Sequence, residues 1–266
     1  MAVLAPIQVA SQVKGDGTIE PGEDETAELA RAVQNPVASM VSLPFQNNTT
    51  FDWGPQGGTF NVLNIQPVVP FKLSDGVNLI TRTILPVITM PELVEGQGGK
   101  TGLGDLSFSA FLSPSAAGKI IWGAGPALLI PTATDDRLGQ DQWALGPSLV
   151  VLTMPGSWVI GALVNNVWSI GGSEDSSINF FFSQVFANLN LSNGWYVVFA
   201  PIITANWEAS DGNKWTVPFG GGPGKIFRLG SQPMNANVQV YYNAVRPGLV
   251  GRWGTRLQLQ FMFPKR

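Results

Sequence analysis

Several stretches of this sequence carry residue types that could do chemistry. Gly220-Gly221-Gly222-Pro223-Gly224-Lys225 invites comparison with a phosphate-cradling loop. Phe219, however, stands where that motif needs its first glycine, and Ile226 where it needs Ser or Thr. A bulge or a close backbone approach inside a strand suits the run better. Asp135-Asp136 with Asp141, and Glu174-Asp175, offer the hard oxygen ligands that calcium takes, and a solvated acidic loop is the plainer expectation. Asp105 and Glu208 are the strand acids placed to face inward, the minimum for paired-carboxylate hydrolysis. Against all of these stands the absence of any His or Cys. Without histidine there is no Ser-His-Asp machinery and no usual general base. Without cysteine there is neither disulfide nor thiol chemistry. No enzyme, cofactor or metal site is expected.

The elements that would position these residues are strands. Only 12% of the 266 residues are charged, yet 44% are hydrophobic and the mean hydropathy is just +0.15. Strands with one face in lipid and one in water average out this way. Residues 1–23 read as a polar tail and Asp24 to Gln34 as a short helix, with acids in its first turn, Leu29 and Val33 four apart, and Pro36 ending it. From Ser39 the period changes to two. About twelve strand-length segments follow, near 39–53, 58–71, 77–88, 101–113, 119–132, 142–154, 157–170, 178–190, 194–208, 213–228, 233–246 and 250–263. In the last, Trp253, Thr255, Leu257, Leu259, Phe261 and Phe263 oppose Gly254, Arg256, Gln258 and Gln260.

Alternation alone does not separate a lipid-facing barrel from a soluble β-sandwich binding module. Connection lengths and aromatics favour the barrel. Short links such as Pro155–Gly156 and Ser192–Asn193 alternate with longer ones such as Thr89–Lys100 and Ala133–Asp141, and Phe71 and all nine Trp stand near strand ends. The expected fold is all-β: a closed antiparallel transmembrane β-barrel of about 12 strands with a short N-terminal helix. Residues 1–38 form the tail and helix, a candidate plug, and residues 39–266 the barrel. The net charge of −3 and pI near 5.0 leave no basic field for nucleic acid. Met1–Ala10 has no cationic start and no long apolar core, so the chain is expected to be the mature form of an exported protein.

Ten polar residues fall on the faces that would turn inward: Gln46, Asn48, Asn64, Gln66, Arg82, Asp105, Asn206, Glu208, Gln239 and Arg256. They are candidates for a pore lining. The alternative is a lumen closed by its own hydrogen-bonded network, since twelve strands lie between barrels that fill themselves and barrels that leave a channel. Arg82, Arg256, Asp105 and Glu208 could pair across it.

Ordered motifs add a family resemblance. Gln34–Ala38 (QNPVA), Ser42–Asn48 (SLPFQNN), Val62–Phe71 (VLNIQPVVPF) and Asn78–Pro86 (NLITRTILP) come first. Thr101–Asp105 (TGLGD), Ile121–Asp136 (IWGAGPALLIPTATDD), Gly161–Ser169 (GALVNNVWS), Ala200–Glu208 (APIITANWE), Trp215–Lys225 and Phe261–Lys265 (FMFPK) follow. From about Leu29 onward the chain resembles the transporter-like outer-membrane proteins of the MetA-pathway of phenol degradation family. The resemblance implies a barrel in the outer membrane of a Gram-negative bacterium, with lipid, lipopolysaccharide and small-molecule solutes, hydrophobic or aromatic ones included, as partners. It implies a porin-like channel for passive transport and brings no catalytic residues. The terminal Pro264-Lys265-Arg266 departs from the bare aromatic carboxylate that ends most such barrels.

Overall fold

The computed structural model describes residues 12–13, 19–20 and 23–264, apart from residue 117 and residues 174–176. The tail reading of residues 1–23, the pair Glu174-Asp175 and the terminal Lys265-Arg266 lie largely or wholly outside the described residues. Helix α1 spans Glu23–Val33, one residue from its expected bounds. Pro36 cannot continue it, and Asn35 Oδ1 accepts from the Val37 amide at 3.0 Å to turn the chain toward the first strand.

Twelve barrel strands follow. They are β1 (Val41–Trp53), β2 (Gly58–Ile65 with Val68–Lys72), β3 (Val77–Met90), β4 (Lys100–Leu103 with Leu106–Pro114), β5 (Ile120–Ile130) and β6 (Gln142–Thr153). Then come β7 (Trp158–Gly172), β8 (Asn179–Asn190), β9 (Trp195–Phe199 with Ile202–Asn206), β10 (Trp215–Leu229), β11 (Gln232–Val245) and β12 (Trp253–Phe263). Each pairs antiparallel with its sequence neighbours, and β12 returns to β1 with Gln258 opposite Gln46 and Leu259 opposite Phe45. Closure leaves no strand edge unpaired, the condition for placing β structure in lipid.

The period-two pattern becomes an inside and an outside. On β12, Leu257 is 50% and Leu259 39% exposed, whereas Arg256 and Gln260 are 6% and 5% exposed. Large apolar side chains such as Leu149, Val151, Val197, Val238 and Val240 continue the outer belt. Two aromatic girdles border it. Trp122, Trp158 and Trp195 stand beside the short turns, and Trp53, Trp143, Trp168, Trp207, Trp215 and Trp253 beside the other rim. This is the lipid-facing surface of an outer-membrane barrel, which places the chain in the bacterial outer membrane. No described helix is long and apolar enough to cross a membrane.

Three strands carry breaks that the pattern does not reveal, at Gln66-Pro67, Gly104-Asp105 and Ala200-Pro201. Proline cannot donate to the ladder, which accounts for two of them. The connection at 54–57 is as short as those at the opposite rim, an exception to the expected alternation. The glycine run lies within β10 as expected. Register shifts between Val217 and Pro218, and a Cβ on Gly224 would lie 2.1 Å from the Tyr196 ring. The missing side chain leaves room for that ring inside the barrel.

Candidate functional site: the barrel lumen

The lumen changes character along its axis. At the short-turn end it is filled. Leu29 and Ala30 of α1, with Val37 and Met40 behind it, are buried in one apolar cluster with Ile80, Phe111, Val150, Leu152, Val159, Phe186, Tyr196, Ile226 and Met262. Those partners come from strands all round the barrel, so the helix face made by Leu29 and Val33 is packed against the inner wall. Arg31 donates to the Gly156 carbonyl at 2.8 Å, and Gln34 exchanges hydrogen bonds with Asn190 at 2.9 and 3.2 Å. Both tie α1 to the short-turn rim. Glu28 is exposed, and the side chains of Asp24 and Glu25 lie outside the described residues.

Above α1 lies a cavity of about 160 Å³ with a polar wall. Two hydrogen-bond chains build that wall. In the first, Arg82 donates to Gln66 Oε1 at 2.7 Å, and Gln66 donates to Gln46 Oε1 at 2.7 Å. The second starts at Arg256, which donates to Asn48 Oδ1 at 2.9 Å, to the Ala200 carbonyl at 2.8 Å and to the Tyr241 hydroxyl at 3.3 Å. Tyr241 donates to Gln239, Gln239 to Asn237, and Asn237 to the Tyr196 hydroxyl. Tyr196 then donates to Asn235 at 2.6 Å, and Asn235 to Gln260 at 3.3 Å. The Arg256 guanidinium also lies 5.0 Å from the Tyr241 ring centroid, a cation–π contact. Asn188 Oδ1, on the same cavity, is the one buried side-chain N or O without a hydrogen bond among the described residues.

Toward the long-loop rim the lumen widens into a second cavity of about 440 Å³. Ile84, Pro86 and Ile88 of β3, Ala127 and Leu129 of β5, Leu163 and Val167 of β7, and Phe180 and Phe182 of β8 make its wall mostly apolar. Leu138, from the loop at 131–141, folds down onto it and is 5% exposed. Asp105 fixes that loop. Its carboxylate accepts from the Thr132, Ala133 and Gln140 amides at 3.2, 3.2 and 2.7 Å. Asp135 anchors the loop's outer side through Lys100 at 2.7 Å and Arg137 at 3.0 Å. The Arg137 hydrogen bond, then Lys100, holds the Asp135 carboxyl well below the usual carboxylate range. Asp135, one of the acids considered for calcium, is thus taken up by loop contacts, and no cluster of metal-binding side chains occurs among the described residues.

The structure brings together Gln46, Gln66 and Arg82 in one hydrogen-bond chain and Asn48, Gln239 and Arg256 in the other, on the wall of one cavity. Asn64 lies in register between Gln46 and Pro86 on the same face, and Asn206 borders the apolar cavity at the rim. Two expectations need correction. Glu208 lies past the end of β9 in an exposed turn, not on a strand face. Asp105 lies at the break in β4 and is taken up by backbone amides, so the carboxylates do not meet Arg82 or Arg256. Sequence reasoning passed over Tyr196, Asn188, Asn235 and the apolar wall. Asn235 shares the two-residue period of Gln239 on β11, and Tyr196 that of Asn206 on β9, which could have flagged both.

No protein-family model matches the chain, and no curated protein matches it by sequence. Solved outer-membrane barrels share its fold. The COG4313 outer membrane channel from Pseudomonas putida F1 superposes with a TM-score of 0.65 at 17% identity, over 86% of this chain and 97% of that one. The CymD monoaromatic hydrocarbon channel gives a TM-score of 0.48 at 8% identity, over 94% of each chain. A Pseudomonas aeruginosa FadL homologue gives 0.43 at 11% identity, over 90% and 93%. The first likeness establishes the fold; the other two are too loose to add to it.

Proposed function

We propose that the chain is a passive outer-membrane channel for small apolar solutes, aromatic ones included, with lipid and lipopolysaccharide around its outer belt. The apolar cavity of about 440 Å³ inside the barrel carries this reading. A barrel serving only as a structural wall gains stability by filling its bore, and this one fills only its short-turn end. Small molecules bind in cavities of roughly this size, about 300–1,000 Å³, with apolar walls and few polar groups. The resemblance to the phenol-degradation meta-pathway family and the fold shared with a solved outer membrane channel point the same way. Residues 1–38 act as the restriction and 39–266 as the conducting barrel.

The rival is a closed barrel, favoured by the apolar packing around α1. Single-channel recording in planar bilayers separates the two. The channel reading expects discrete current steps from the full-length protein; a silent bilayer containing folded barrels would support the rival.

A further inference from the structure

Arg82 and Arg256 stand inside a membrane-spanning barrel with no carboxylate beside them among the described residues. Every hydrogen-bond acceptor they meet among the described residues is neutral: Gln66, Asn48, Tyr241 and the Ala200 carbonyl. Arg256 is 6% exposed. Neither takes part in an ion pair among the described residues, and both side chains line the same cavity. A buried charge without a counter-charge is costly, and here two cations share one small cavity. The end of α1 that lines this cavity, Ala32 to Asn35, contributes only the partial negative charge of its last carbonyls. A guanidinium has five N–H donors, and among the described residues the Arg82 side chain has a hydrogen bond at Nη2 alone.

Arg82 also lines the apolar cavity, so the two chambers meet at its side chain. Among the described residues the only carboxylate on that cavity is Asp105, which lies at the break in β4 and accepts hydrogen bonds from three amides. We propose that the Arg82–Arg256 pair is a binding subsite for an organic carboxylate whose apolar body occupies the chamber lined by Ile84, Ala127, Leu163 and Phe182. The planar guanidinium matches a carboxylate in a two-bond fork. The ligand is therefore amphiphilic: one negative head, and a ring or short chain behind it. This rests on the channel reading and specifies the solutes that pause in the lumen.

The test is equilibrium dialysis with full-length protein in non-ionic detergent. The probes are phenylacetate, octanoate, 2-phenylethanol and acetate. Phenylacetate or octanoate should bind at least about tenfold more tightly than both acetate, which lacks the apolar body, and 2-phenylethanol, which lacks the charge; which of the two binds better distinguishes an aromatic from an aliphatic body. Arg82→Gln should abolish that preference over the neutral alcohol, and Arg82→Lys should restore part of it. Arg82 is the position of choice because Arg256 also braces the broken strand β9 through Ala200. The heat-dependent gel shift of a folded barrel checks each variant. Equal binding of acetate, of the alcohol, or of phenylacetate to the Arg82→Gln protein would overturn the proposal. Absence of carboxylate binding beside normal single-channel currents would overturn it and leave the channel reading standing.

Discussion

At the residue scale, neighbouring side chains on one strand meet different solvents. Leu259 is 39% exposed on the outer belt, while the next residues on either side turn toward the lumen network, where Gln258 donates to Gln260 at 3.2 Å. Leu259→Arg should therefore cost about 2–4 kcal/mol in a folding titration into bilayers if the site lies near mid-membrane. Gln258→Glu should cost much less, because its carboxylate reaches the polar cavity that holds Arg82 and Arg256. Equal costs would contradict the assignment of faces. Asp135 gives a pH prediction. Its folded-state pKa is depressed by Arg137 and Lys100, so its contribution is fully present above the unfolded value of about 3.9 and fades only as pH falls through the lower, folded value. Acidification from about pH 7 to 4 should leave amide exchange in residues 131–141 unchanged after correction for the intrinsic rate. Asp135→Asn should speed that exchange already at neutral pH.

At the scale of elements, the strands were legible because lipid on one side and a lumen on the other impose a strict two-residue period. Observed bounds for β12, β6 and β8 differ from the pattern by only a few residues. The breaks were not legible, because the inward set Tyr196, Val198, Ala200, Ile202, Thr204 and Asn206 keeps its period straight through the gap at Ala200-Pro201. Glu208 was misplaced for a related reason. The alternation runs on past Asn206 although the ladder has stopped, and Trp207 belongs to a girdle, where strands leave the membrane. Asp105 looked like a lumen charge. Its role as the anchor of the 131–141 loop depends on amides 27 to 35 residues away, which no local pattern shows. Asp105→Asn should weaken those three contacts and raise exchange at Ala133 and Gln140, with little effect on α1. Helix α1 itself was predicted from its spacing, and its burial against the inner wall motivates a second test. Deleting residues 1–36 removes Leu29 and Ala30 from the apolar cluster and should raise single-channel conductance well above that of the full chain. Unchanged conductance would mean that the helix does not restrict the pore.

For the whole molecule, the division of the lumen emerges only on closure. The sequence shows which residues point inward, but not that β3, β5, β7 and β8 pool their apolar positions while β1, β11 and β12 pool their Asn, Gln and Arg. The central claim is that solute passes through the apolar chamber. Entry of 4-nitrophenol into vesicles with lipopolysaccharide in the outer leaflet tests it most directly, comparing full-length protein with Ala127→Trp and Leu149→Trp. Ala127 is 3% exposed on the inner wall and borders the chamber, so a Trp there should fill much of the space. Leu149, on the outer belt of β6, is 42% exposed, and a Trp there meets lipid. The account predicts entry above the protein-free rate for the full-length protein and for Leu149→Trp, and a loss of most of that excess for Ala127→Trp. Equal entry through both variants, or no excess with the full-length protein, would contradict it.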